Sequence, residues 1–229
     1  MLRLMNLETA KQAAGQKAAA LIQNNTIVGL GTGTTALYFI EALILRCKEG
    51  LRIQAVASSR ASAELAKQGK IPILDINDAA HIDITVDGAD EIDAQKRMIK
   101  GGGGAHVREK ILASNSKEMI VIVDESKVVP SIGKAKLPVE ILPYGCKITA
   151  AKIKKLGFSG AWRTTRDNQL FLTENGNYLF DIHFPSPPAS PEKINEQILQ
   201  IPGVIDTGFF FHLAGRVIVG FANGATKII

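Results

Sequence analysis

Cysteine is scarce in this sequence. Cys47 and Cys146 are its two cysteines, far apart and without metal-ligand spacing, in a chain of 229 residues. That argues against a disulfide scaffold and favours reduced thiols in a cytosolic setting. No apolar run approaches the length needed to span a bilayer. The opening "MLRLMNLETAKQAAGQK" lacks an apolar core followed by a small-residue cleavage site, so no secretory signal is expected. The four histidines, His81, His106, His183 and His212, share no ligand spacing and are expected to be structural or surface residues. Clustered charge is also missing. The net charge is +5, yet the lysines are scattered, and only "KIKK" at 152–155 is grouped, on an expected helix. A solvated helix face fits it better than a nucleic-acid patch. A cationic chain also suits a small anionic substrate.

What is present is an ordinary globular composition, 46% hydrophobic and 21% charged. Asn6 reads as an N-cap, followed by Leu7, Ala10, Ala14, Ala18, Leu21 and Ile22 at helical spacing. Apolar strands "TIVGLG", "IQAVAS", "IPILDI", "IDITVDGAD" and "MIVIVDE" alternate with helices expected at about 34–48, 59–68 and 105–115. Strands without a polar face, alternating with helices, indicate a parallel sheet covered on both sides. After Lys127 the pattern changes to β-α-β-β-α-β, the split ferredoxin-like order. Its pieces are "VEILP", the helix "CKITAAKIKKLG", the extended "WRTTR" and "QLFLT", the turn "ENGN" into "YLFDIHF", a helix capped by Ser190, and "VIDTGFFF" as one strand. The fold class expected is α/β: a Rossmann-like parallel-sheet domain, residues 1–131 and 212–229, with an inserted ferredoxin-like α+β domain, residues 132–211. Phe209, Phe210 and Phe211 read as strand and core residues, not a base-stacking platform.

Four stretches carry chemistry, each read as the end of a successive strand of one sheet. In "GLGTGTT", glycines let the backbone approach a ligand, and the following helix N-terminus offers N–H groups beside the hydroxyls of Thr32, Thr34 and Thr35. That suits a phosphate, and a tight turn alone would look the same. The dinucleotide fingerprint is incomplete and no Walker lysine follows. In "DGADEID", Asp87 and Asp90 stand just past a strand, where ligands bind open parallel sheets. Proton transfer between clustered carboxylates, an acidic solvated turn and a magnesium site all fit. "KGGGGAHVREK" places Lys100 before Gly101, Gly102, Gly103 and Gly104, with Glu109 in the early turns of a helix. Consecutive glycines can turn their amides into a site and lie against a flat ligand; a flexible linker is the alternative. "VDESK" puts Lys127 at a strand end, and Lys11 lies on the first helix; either could be a surface lysine.

These stretches, with "LPVEILP" and "IPGVIDTGFF", span nearly the whole chain, and their combination resembles the ribose-5-phosphate isomerase A family. The resemblance implies interconversion of D-ribose 5-phosphate and D-ribulose 5-phosphate, no cofactor and no metal, a cytoplasmic location, a homodimer or homotetramer, and neither a nucleic-acid nor a membrane partner. By position it implies Glu109 as the catalytic base, with Asp87, Asp90 and Lys100 as further active-site groups. Thr32, Gly33, Thr34, Thr35, Gly88, Ala89, Gly101, Gly102, Gly103 and Lys127 become substrate contacts, with Lys11 adding charge. Thr34 stands where Ser is usual, Gly104 for Ala, His106 for an apolar residue, and Glu125 where a small residue is common. A sugar-phosphate sensor, a coenzyme A transferase using a glutamate nucleophile and a nucleic-acid-binding protein are the competing classes.

Overall fold

The computed structural model describes residues 2–229, with side chains from residue 7 onward. In chain order the elements begin with α1 (Leu2–Ala20), β1 (Thr26–Leu30), α2 (Thr34–Lys48), β2 (Ile53–Ala57) and α3 (Arg60–Gln68). Then come β3 (Ile82–Asp87), β4 (Glu91–Ile92), β5 (Met98–Ile99), α4 (His106–Ser114), β6 (Ser116–Asp124) and β7 (Leu137–Ile141). The chain finishes with α5 (Cys146–Lys155), β8 (Ser159–Trp162), β9 (Tyr178–His183), α6 (Pro191–Leu199), β10 (Val204–Thr207), β11 (Phe209–Phe210), β12 (Ala214–Gly220) and β13 (Thr226–Ile228). It divides into two compact units: 1–89, 108–128 and 213–229 in the first, 90–107 and 129–212 in the second. Residues 90–107 thus group with the second unit, whereas the sequence division put them in the first. The reason is pairing: β5 lies between β4 and β11, all within the second unit.

The first unit is built on a six-stranded sheet, order β13-β12-β6-β3-β1-β2, parallel except for β13. Its strands are apolar because both faces are covered. Ala36, Phe39, Ile40 and Leu43 of α2, at helical spacing, are buried with Val28, Leu30, Val86, Ile120, Ile122 and Ile218. Helix α1 contributes Ala10, Ala14 and Ala18, small enough for Gly15 to approach the backbone of Tyr38 and Phe39. It begins at Leu2, so Asn6 is inside the helix and is not its N-cap; the Asn6 side chain lies outside the described residues. "IPILDI" is not a strand. It runs beside β2 and makes a single bridge, Ala55 to Ile73, before a 3-10 turn at Ile76–Asp78. Pro72 has no N–H for a ladder and only accepts from Ala55.

The second unit holds a four-stranded antiparallel sheet, order β10-β7-β9-β8, with α5 and α6 as its crossovers. This is the split β-α-β order expected. Its core gathers Leu137, Val139, Ile141, Ile153, Phe180, Ile182, Ile198 and Phe209. "VIDTGFFF" breaks at Gly208 into β10 and β11, which belong to different sheets. The Gly208 N–H donates to the Pro138 carbonyl (2.7 Å), while its own carbonyl accepts from the Lys100 N–H (2.9 Å). Phe209 and Phe210 are core residues. The tail returns to the first unit as β12 and β13.

Candidate active site

In the first unit the chain runs β1 to β2 on one side of β1 and then crosses to β3 on the other. The carboxyl ends of β1 and β3 therefore flank the switch point, where open α/β sheets bind ligands. Between β1 and α2 lie Gly31, Thr32 and Gly33. Gly33 occupies the N-cap position with φ of 105°, and no side chain caps the helix. The first N–H groups of α2, from Thr34 onward, thus lie beside an exposed Gly33 and Thr34 and a half-buried Thr35, an arrangement suited to an anion.

The cradle is tied to the carboxylate at the next strand end. Asp87, fully buried, closes β3, and its Oδ1 accepts the N–H of Thr32 (3.0 Å) and of Gly88 (2.7 Å). A Cβ on Gly31 would run into the Asp87 carboxyl, so this close approach requires glycine. Two serines that the sequence reading did not single out support the loop from behind. Ser58 Oγ lies 2.7 Å from Thr32 Oγ1 and donates to the Leu30 carbonyl (3.0 Å). Ser62 Oγ donates to the Gly31 carbonyl (2.6 Å). Their signal was positional: "ASSRAS" follows β2 at the same sheet edge.

Lys127 lies in a 3-10 turn, Glu125–Lys127, directly after β6, the neighbour of β3. Lys11 follows Ala10, whose carbonyl abuts Gly220, and Gly220 pairs with Asp124 at the carboxyl end of β6. Both lysines are half-buried at that edge. Glu109 lies in the first turn of α4 and is 3% exposed.

The second unit holds the remaining groups. Lys100, 2% exposed, follows β5, and its Nζ lies 5.4 Å from the Phe210 ring centroid. Gly101–Gly104 close a turn through the Gly104 N–H to the Gly101 carbonyl (2.9 Å). Asp90 is half-buried; its Oδ2 accepts the Gly102 N–H (2.7 Å). The expectation that all four stretches end strands of one sheet is corrected: three do, and the glycine turn follows β5 of the small sheet β11-β5-β4. Among the described residues no group of three His, Cys, Asp or Glu side chains is placed to hold a metal ion. No helix among the described residues is long and apolar enough to cross a membrane.

A helix N-terminus suited to an anion and a buried acid at the switch point of a parallel sheet fit a class: α/β enzymes that act on small phosphorylated molecules. The family is established by comparison. The family model for ribose 5-phosphate isomerase A (phosphoriboisomerase A) matches residues 54–224. The ribose-5-phosphate isomerase A of Protochlamydia amoebophila is 50% identical over 220 residues, covering 96% of this chain and 95% of that one. The solved ribose 5-phosphate isomerase from Plasmodium falciparum superposes with a TM-score of 0.93 at 32% identity, covering 97% and 98% of the two chains. A solved D-ribose-5-phosphate isomerase in complex with phospho-erythronic acid gives 0.92 at 33% identity, covering 97% and 98%. The chain belongs to the ribose 5-phosphate isomerase A family.

Proposed function

We propose that this chain interconverts D-ribose 5-phosphate and D-ribulose 5-phosphate through an enediolate, as an aldose–ketose isomerase of the non-oxidative pentose phosphate pathway. The observation that carries the reading is the tie between the cradle and the acid, Thr32 N–H on Asp87 Oδ1, in a chain of this family. A structural neighbour in complex with phospho-erythronic acid supports the substrate class, because that ligand is a phosphorylated sugar acid.

In this mechanism the phosphate sits in the Thr32–Thr35 loop, on the N–H groups of Gly33, Thr34 and Thr35 and the threonine hydroxyls, with Lys127 and Lys11 adding positive charge. Once the ring is open, Glu109 takes the proton from C2 of the aldose and returns it to C1. One base serves both carbons because they are adjacent. The developing enediolate oxygen needs donors fixed in advance; Lys100 and the N–H groups of Gly101 and Gly103 supply them, with the Gly102 N–H holding Asp90 in place. Asp87 and Asp90 move protons between the two oxygens and assist ring opening, with Gly88 and Ala89 presenting them to the sugar. The steps move protons between neighbouring atoms and leave overall oxidation unchanged, so no redox cofactor is called for. A cytoplasmic homodimer or homotetramer completes the reading.

The test is to supply ribose 5-phosphate in deuterated water and follow ketose formation by NMR. Ketose with deuterium at the reacting carbon is expected. Turnover without any label, as in a direct hydride shift, would contradict the enediolate, and no turnover at all would contradict the function.

A further inference from the structure

We propose that Arg163, directly after β8, is a positioning residue for this reaction: it turns the glycine loop so that the Gly102 N–H is held on Asp90 and the Gly103 N–H faces the same way, as an oxyanion donor. The proposal rests on the function argued above. Arg163 Nη1 donates to two carbonyls at once, Gly101 O at 2.8 Å and Gly102 O at 3.0 Å. A trans peptide carries its C=O and N–H in opposite directions. Fixing the Gly101 carbonyl on Arg163 therefore sends the Gly102 N–H the other way, and it lands on Asp90 Oδ2 at 2.7 Å. Fixing the Gly102 carbonyl sends the Gly103 N–H the same way. The loop allows this because Gly101 has φ of 102°, and because a Cβ on Gly102 would press on the Asp90 carboxylate at 2.7 Å.

The guanidinium is itself locked. Its Nε and Nη2 donate to Asp181 Oδ2 and Oδ1 of β9, at 3.0 and 2.6 Å. The Phe171 ring centroid lies 5.8 Å from its Cζ. The planar fork thus serves a carboxylate on one edge and two carbonyls on another. Lysine, a single point of charge, cannot reproduce that. Nothing in this arrangement bears on the phosphate, which the cradle in the other unit is proposed to hold, so a loss at Arg163 falls on turnover and spares ground-state binding.

The experiment compares wild type, Arg163→Lys and Asp181→Asn by steady-state kinetics with ribose 5-phosphate, and by calorimetric binding of phospho-erythronic acid and of inorganic phosphate. Small misplacements of catalytic groups cost on the order of 10²-fold. Arg163→Lys is expected to lose about that in kcat while KM stays within about threefold. Affinity for phospho-erythronic acid, whose carboxylate places anionic oxygens at the end away from the phosphate, should fall; affinity for phosphate should hold. Asp181→Asn, which loosens the fork while keeping its shape, should shift the same quantities in the same direction by less. A folded Arg163→Lys enzyme with wild-type kcat would overturn the proposal, as would equal loss of both ligands. If Arg163→Lys does not fold, Asp181→Asn decides alone: unchanged kcat and selectivity overturn the proposal. Wild-type protein inert toward ribose 5-phosphate would instead sink the function beneath it.

Discussion

Ser58 is a small buried side chain whose hydroxyl holds that of Thr32. Its loss would remove the bond to Thr32, worth about 1 kcal/mol, and the one to the Leu30 carbonyl, which keeps the Ser58 N–H as a donor and so holds the backbone in place. Ser58→Ala is therefore expected to raise KM for ribose 5-phosphate about fivefold with little change in kcat; initial-rate kinetics check this. Cys47 shows the opposite sort of residue, one with no part in the chemistry. Burial pushes its thiol pKa up, against a smaller opposing pull from Arg46, and it is the thiolate that reacts. Iodoacetamide at pH 8 should modify Cys47 more slowly than a free cysteine, with activity preserved; mass spectrometry of the peptides reads it out.

The hairpin between β8 and β9 is organised by a buried acid. Glu140 of β7 is fully buried, and its Oε1 accepts from Thr173 Oγ1 (3.1 Å), Asn175 Nδ2 (3.0 Å) and Asn177 Nδ2 (2.8 Å). Glu140→Ala would strand these donors, two of them on buried residues, and should lower unfolding free energy by roughly 3 kcal/mol. Urea unfolding measures it, while kcat of the folded enzyme should stay near wild type. The turn itself was legible in "ENGN", since Asn and Gly there suit a tight reversal and Gly176 has φ of 79°. Glu140 was not, because "VEILP" looks like any buried strand and its partners lie over thirty residues on. Helix α2 was legible from its apolar spacing, and the cradle from its glycines and threonines. "IPILDI" misled because apolar content cannot reveal that Pro72 blocks a ladder. "VIDTGFFF" misled because a continuous apolar run hides the change of sheet at Gly208. Arg163 was equally hidden: its role depends on carbonyls sixty residues earlier, and no local pattern records such a contact.

Across the first unit, acid stability depends on charges at the sheet edge opposite the cradle. Asp83 Oδ1 accepts from Lys117 Nζ (2.7 Å) and faces His81 Nε2 (3.2 Å), while its Oδ2 accepts the Ile27 N–H (2.8 Å). The Lys117 hydrogen bond, then the Ile27 N–H, hold its pKa below the usual carboxylate range, with burial opposing. A depressed folded pKa means the stabilisation is present above the unfolded value, near pH 4, and is lost as pH falls through the folded one. Asp83→Asn should therefore unfold at a midpoint less dependent on pH below about 4, which thermal melts in an acid series would show. The chemistry is expected to be indifferent to that edge, because the proposed acid–base groups lie elsewhere in the chain. The central claim concerns one of them. The most direct measurement is kcat of Glu109→Gln with ribose 5-phosphate, alongside its melting temperature and phosphate affinity. A fall of about 10²–10⁴-fold with folding and phosphate binding intact is predicted; a folded variant turning over at the wild-type rate would contradict Glu109 as the base.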